Sequence, residues 1–204
     1  MGPARLAILF GMLHASNLGK RYGRRWLFRG LEFELGVGDR LAIVGRNGAG
    51  KSTLLKVIAG LIPPSEGKVK LKSEDPRRSL GYSALDMSLY PSLTVEEHLE
   101  LTGELRECPA RIEELLEFVG LSYALRQPAS ELSTGMKARL KLAIALQGEP
   151  DVLLLDEPGA GLDEVGRELI EKIVNEQSQR GAIVLATNDP LERRFATHEL
   201  EIAG

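Results

Sequence analysis

Cysteine is nearly absent: Cys108 is the only one in 204 residues. A single thiol excludes an intramolecular disulfide and any metal centre built on cysteine ligands, and it suits a reducing compartment. Cys108 precedes Pro109 with no basic or histidine neighbour beside it, so it reads as inert. Long apolar runs are missing too. No stretch approaches the roughly eighteen apolar residues that a membrane-crossing helix needs. The run Leu6–Phe10 is too short for the core of a secretory signal, and no convincing small-residue cleavage site follows. Met12 is a candidate start, which would leave residues 1–11 as a poorly ordered extension. There is little excess of either charge. Lys and Arg number 26 against 29 Asp and Glu, so the net charge of −3 gives no field drawing the chain to nucleic acid or an anionic membrane. The local cluster Lys20, Arg21, Arg24 and Arg25 reads as a solvated turn. Repeats and low-complexity tracts are also lacking.

What is present is an ordinary folded composition, 43% hydrophobic and 27% charged, in a chain long enough for one α/β domain with a subdomain. Trp26 to Leu35 alternates apolar and polar residues as a half-buried strand does, and Gly36–Asp39 turns the chain. Arg40–Val44 is a mostly apolar run of the kind covered on both faces. From Gly50 the apolar residues Leu54, Leu55, Ile58, Ala59 and Leu61 recur at helical steps, until Gly60 and Pro63-Pro64 intervene. Val69–Leu71 and Leu80–Tyr82 read as short strands. From Thr94 to about Gly148 no segment has strand character. Thr94 with Glu97 forms a capping box opening a helix, Pro109–Val119 reads as a second helix, and Ser133–Leu146 as a third. Strands return at Val152–Leu155 and Ile183–Ala186 around a helix at Val165–Gln179, and Glu199–Ile202 reads as an edge strand. A helical insert within a strand-and-helix nucleotide-binding core is the implied organisation.

Gly45-Arg46-Asn47-Gly48-Ala49-Gly50-Lys51-Ser52 fits G-x-x-x-x-G-K-[ST] between an expected strand and an expected helix. A triphosphate needs its negative charge met without bulk water. Glycines let successive backbone N–H groups turn inward as an anion nest, and the helix beginning near Lys51 adds its positive end. Lys51 then reaches the β- and γ-phosphates, and Ser52 holds Mg²⁺ beside Thr53. Val152–Leu155 leads into Asp156 and Glu157, carboxylates at the end where α/β sheets bind ligands. Asp156 there suits Mg²⁺ through water, and Glu157 suits the water attacking the γ-phosphate. Taken alone, such an acidic pair would more often begin a surface turn; the upstream phosphate loop makes that the minor reading.

Leu132-Ser133-Thr134-Gly135-Met136 resembles the LSGGQ signature of the ABC ATPases, departing from it at Thr134 and Met136. Glu157-Pro158-Gly159-Ala160-Gly161-Leu162-Asp163 resembles that family's E-P-x-x-x-L-D stretch, and Leu93–Leu99 its lead-in to a helical subdomain. The resemblance covers residues from about 14 to 204. It implies a P-loop, RecA-like α/β core with an N-terminal antiparallel region and a helical subdomain. It implies core segments near 12–91 and 149–204, with the subdomain near 92–148. Tyr22 takes the place of the ring stacked on adenine, and Asp163 that of the D-loop aspartate. Ser133, Thr134 and Gly135 are implied to close on the ATP of a second, head-to-tail subunit, giving an ATP-dependent dimer, identical chains being one option.

Two positions depart from that pattern. Leu85 occupies the place of a glutamine that senses Mg²⁺ and water, and a leucine makes no hydrogen bond. Neighbouring Asp86 is the nearest substitute. Asn188 occupies the place of a histidine touching the γ-phosphate; it donates a hydrogen bond but never carries charge. His198 is expected beside the last strand, and His14 and His98 at a surface or interface. The resemblance therefore implies an ATPase with intact ATP and Mg²⁺ binding and slow turnover. The first functional class is a subunit driving transport through separate integral membrane subunits, docked around Leu85–Leu105, at the inner face of the cell membrane. The ending after Asn188-Asp189-Pro190-Leu191 looks somewhat like the haem-exporter subunits of cytochrome c maturation, beside short multidrug-type and lipoprotein-type exporters. The other class is a soluble ATP-switched assembly factor. Nucleic-acid binding lacks a basic face or a long insert to support it.

Overall fold

A computed structural model describes residues 11–73 and 75–203, so the extension expected at residues 1–11 lies, Gly11 apart, outside the described residues. Leu13–Tyr22 (β1) and Arg25–Leu35 (β2) form an antiparallel hairpin closed at Gly23, whose φ of 57° suits a glycine. Arg40–Val44 (β3) leaves the hairpin for a second sheet, and Glu66–Leu71 (β4) returns to pair with β1 in the order β2-β1-β4. The expected solvated basic turn is this hairpin tip, with Arg21, Arg24 and Arg25 exposed.

β1 itself is not evident from periodicity. Its inward Leu13 and Ala15 keep the two-residue alternation, but the pairing slips between Ala15 and Leu18, where Asn17 is left-handed at φ 48°. One extra residue at such a bulge shifts every later side chain to the opposite face.

The second sheet gathers Leu80–Ala84 (β5), Val152–Asp156 (β6), Ala182–Ala186 (β7) and His198–Glu201 (β8) around β3. All neighbours run parallel in the order β5-β6-β7-β3-β8, with β8 on an edge as expected. Alternation within the central strands sends side chains to two cores. Leu153, Leu155, Ile183 and Leu185 face one cluster; Val152, Leu154, Ala182 and Val184 face the other. The first lies under the helices, and the second between this sheet and the antiparallel one. A two-sided burial of this kind explains why β6 and β7 read as unbroken apolar runs.

Lys51–Ile58 (α1) follows β3, and the short Pro76–Ser79 (α2) precedes β5. Val95–Leu105 (α3), Ile112–Phe118 (α4) and Thr134–Leu146 (α5) then run from β5 to β6, with single 3₁₀ turns at Ser122–Ala124 and Ala129–Glu131. Glu164–Arg180 (α6) and Pro190–Arg193 (α7) complete the order. The α/β class with an N-terminal antiparallel sheet and a helical run between strands is thus the observed one. No described helix is long and apolar enough to cross a membrane.

Local details correct four expectations. Leu61 lies past the end of α1 and is 61% exposed, because the Gly60 turn (φ 71°) ends the helix before it. The second helix begins at Ile112 rather than Pro109. α5 does not present one apolar face: Leu140, Leu142, Ala143, Ala145 and Leu146 are all buried, since β5 packs on one side and α3 and α4 on others. His98 is buried, not superficial. Its Nδ1 bonds the Thr94 carbonyl at 2.7 Å and its Nε2 accepts from the Tyr90 N–H at 3.0 Å, which fixes the proton on Nδ1.

Candidate functional site

Parallel register sets the site before any side chain is considered. Ala84, Asp156, Ala186 and Ile43 stand in one row across β5, β6, β7 and β3. The next residues, Leu85, Glu157 and Thr187, therefore leave the sheet at the same end as Val44, the last residue of β3, at the carboxyl ends where α/β sheets take ligands.

From Val44 the chain enters the loop Gly45–Gly50. Gly50 adopts φ 108° as the N-cap of α1 and supplies no side-chain acceptor, so the first N–H groups of the helix remain for a ligand. Leu27 and Phe28 of β2 pack over Gly50, where a Cβ would lie 3.2 Å from Leu27. Ala49 N–H closes back on the Arg46 carbonyl at 3.0 Å, curling Arg46, Asn47 and Gly48 into a tight turn. Lys51 is 7% exposed, its Nζ donating to the Gly45 carbonyl at 3.0 Å and standing 3.9 Å from Glu157 Oε1. A buried ammonium tied only to a carbonyl and a distant carboxylate retains donors for phosphate oxygens. Thr53 follows Ser52 in the first turn of α1.

Asp156 is buried beside the Ser52 hydroxyl, and among the described residues its Oδ1 has no hydrogen-bond partner. Burial raises its pKa, the Ser52 bond opposes this, and Lys56 and Lys51 also pull it down. An orphaned carboxylate oxygen next to a hydroxyl fits a hard divalent cation such as Mg²⁺. Among the described residues no group of three or more His, Cys, Asp or Glu could hold a metal, so further oxygens would come from phosphate and water. Glu157 stands at φ 48°, with its N–H on the Ala186 carbonyl at 2.8 Å. Burial raises its pKa against the opposing pull of Lys51, a direction that suits a proton acceptor.

The two departures have definite surroundings. Asn188 Nδ2 donates to Asn47 Oδ1 at 2.9 Å, so β7 reaches directly to the phosphate loop. Leu85 is 58% exposed and engages only through its carbonyl, which accepts from Lys141 Nζ at 2.5 Å. Asp86 is committed to Lys56 at 2.5 Å. Tyr22 sits at the hairpin tip, 57% exposed.

Ser133 is the N-cap of α5 and accepts the Met136 N–H at 3.2 Å. Thr134 and Gly135 pack on Gly161: a Cβ on Gly135 would lie 3.5 Å from the Gly161 carbonyl. Asp163 caps α6 through Gly166 N–H at 2.8 Å and pairs with Arg139 at 3.3 Å; the Gly166 bond chiefly holds its pKa down. Thr134, Lys141, Asp156 and Glu157 share a cavity of about 150 Å³ between β5 and α5. Arg139 and Lys141 carry no signal in the sequence, because their partners, Asp163 and the Leu85 carbonyl, lie on other segments.

A family model described as ABC transporter matches residues 28–160. The linearmycin resistance ATP-binding protein LnrL of Bacillus subtilis is 32% identical over 193 residues, covering 89% of this chain and 62% of that protein. The chain thus spans about three fifths of that relative's length. The cytochrome c biogenesis ATP-binding export protein CcmA of Rhodopseudomonas palustris is 38% identical over 192 residues, covering 89% and 93%. Among solved structures, a dimeric ATP-binding cassette in a post-hydrolysis state with ADP and Pi superposes with a TM-score of 0.82 at 25% identity, covering 94% of each chain.

Proposed function

The chain belongs to the ABC transporter family of ATP-binding subunits, a family of ATPases, and from that premise we propose that it couples ATP binding and hydrolysis to transport through separate membrane subunits. The observation that carries the reading is the convergence of Lys51, Ser52, Asp156 and Glu157 at one sheet edge. Backbone N–H groups of Gly45–Thr53 and Lys51 receive the β- and γ-phosphates. Ser52 and Asp156 hold Mg²⁺, which when bound neutralises charge on the phosphate oxygens. Glu157 orients the attacking water and accepts its proton as the γ-phosphoryl passes to water, leaving ADP and phosphate.

Two helpers are missing from this arrangement. Leu85 offers no hydrogen bond, and Asn188 offers a neutral one already shared with Asn47. We expect ATP affinity to be ordinary and turnover slow. Equilibrium ATP binding and steady-state turnover of the purified chain test this together. Glu157→Gln should bind ATP and lose turnover, whereas Asn188→His should raise turnover about tenfold, ~1.4 kcal/mol of barrier. Brisk turnover by the unaltered chain would refute the slow-hydrolysis reading.

Two copies facing head to tail would bring Ser133, Thr134 and Gly135 of one onto the ATP of the other, with Asp163 alongside. The division into a core at 12–91 and 149–204 and a helical subdomain at 92–148 belongs to the same proposal. An open groove of about 820 Å³, lined by Leu61, Ile62, Val69, Met87, Arg106 and Ile144, supports docking of a membrane subunit on the inner face of the cell membrane. It lies somewhat to the α1 side of the expected Leu85–Leu105 segment. Similarity to CcmA supports the haem-exporter type among transport roles. Leu85 and Asn188 favour the second reading, a soluble ATP-switched assembly factor. Copurification with a polytopic membrane protein selects transport; wholly soluble complexes select assembly.

A further inference from the structure

Glu192 lies in α7 just beyond Asn188, and the nucleotide chemistry above makes no use of it. It is 7% exposed, an unusual place for a carboxylate. Its Oε1 accepts the backbone N–H of Gly159 at 2.8 Å, the Thr187 side chain lies beside the carboxylate, and among the described residues its buried Oε2 has no close partner. Gly159 comes two residues after Glu157, inside the turn that aims the Glu157 side chain.

That turn is strained. Glu157 is held at φ 48°, a left-handed conformation that a residue with a Cβ keeps only when its surroundings impose it. Three contacts impose it. Glu157 N–H bonds the Ala186 carbonyl at 2.8 Å, and Ala160 N–H returns to the Glu157 carbonyl at 3.0 Å. The third is the Gly159 bond, and it alone of the three uses a side chain. The fit is close: a Cβ at Gly159 would run into Glu192 Oε1. A plain helix-end acid would be hydrated, whereas this one is buried against the backbone of the catalytic turn.

We propose that Glu192 is a positioning residue for ATP hydrolysis: by holding Gly159 N–H it fixes the turn at Glu157 and so sets where the Glu157 carboxylate meets the attacking water. The inference rests on the reading of Glu157 as proton acceptor. It also gives α7 a role in catalysis, because the same short segment that follows Asn188 steadies the opposite side of the site.

Three variants test it in the full chain. Glu192→Gln retains an acceptor oxygen, Glu192→Met retains the volume without one, and Gly159→Ala displaces the carboxylate from the other side. In the Met variant and in Gly159→Ala, kcat should fall about tenfold or more, the scale expected when a reacting group is misplaced. KM for ATP should stay within about twofold and Glu192→Gln should restore most of kcat, the split that separates positioning from binding. Thermal unfolding of each variant identifies any that fails to fold, and the remaining one decides. Unchanged kcat in a folded Met or Gly159→Ala variant overturns the inference, as does a rise in KM with kcat intact. Glu157→Gln separates the two readings. If it abolishes turnover while Glu192→Met does not, only the positioning role falls; if it leaves turnover intact, the role of Glu157 falls first and this inference with it.

Discussion

At the scale of single residues, Asp156, Glu157 and Glu192 bind their protons more firmly in the fold than in the open chain. Glu192 is the clearest case: burial raises its pKa above the ordinary 4.5, Asp189 and Glu157 add to the rise, and Gly159 N–H and Thr187 oppose it. The stabilisation that comes with a raised acid is complete below its unfolded value and is lost as pH climbs through the folded one. Glu192→Gln removes that titration. The Gln variant should therefore gain stability relative to the parent as pH rises above the ordinary 4.5, read as a shift in urea midpoint. A constant difference would show that Glu192 does not titrate in this window. Lys51, Ser52, Asp156 and Glu157 were legible in the sequence because their spacing is dictated by a local backbone shape and an adjoining strand. His98, Arg139 and Glu192 were not. Arg139 and Glu192 each owe a partner to a different segment, as Glu192 owes Gly159, and no local pattern encodes that meeting.

At the scale of elements, α3 shows how much a short motif can specify. Thr94 Oγ1 accepts Glu97 N–H at 3.1 Å, and Glu97 Oε2 accepts Thr94 N–H at 2.7 Å, the reciprocal pair that the residue spacing implied. Thr94→Ala should cost about 1 kcal/mol in chemical denaturation. Replacement with serine should recover most of that, and an alanine variant of full stability would mean the cap is redundant. β1 is the counterexample. Its bulge at Asn17 breaks the alternation that periodicity depends on, although the strand pairs on both sides with β2 and β4. α5 misled in another way, because a helix packed on several sides has no single apolar stripe to recognise.

For the molecule as a whole, the strands were legible but their order was not. Apolar runs at β3, β6 and β7 announce buried parallel strands, yet nothing in them states that β7 separates β3 from β6. That order is what sets Asn188 beside Asn47. If two chains close on ATP as proposed, Glu157→Gln with ATP and Mg²⁺ should roughly double the mass seen by light scattering, since slowed hydrolysis preserves the shared nucleotide. Gly135→Asp in that background should return it to the monomer, because a carboxylate at the exposed start of α5 repels phosphate. Dimerisation unaffected by Gly135→Asp would place the signature outside the interface.

The Arg139–Asp163 pair has a mechanical meaning. It joins α5 to the start of α6 at 3.3 Å, but the Asp163 side chain is 72% exposed. Exposed ion pairs are screened by water and hold weakly, so the link is a light tether rather than a weld. What fixes α5 on the sheet is instead its buried set Leu140, Leu142, Ala143, Ala145 and Leu146, which packs into the same core as Leu153 and Leu155 of β6.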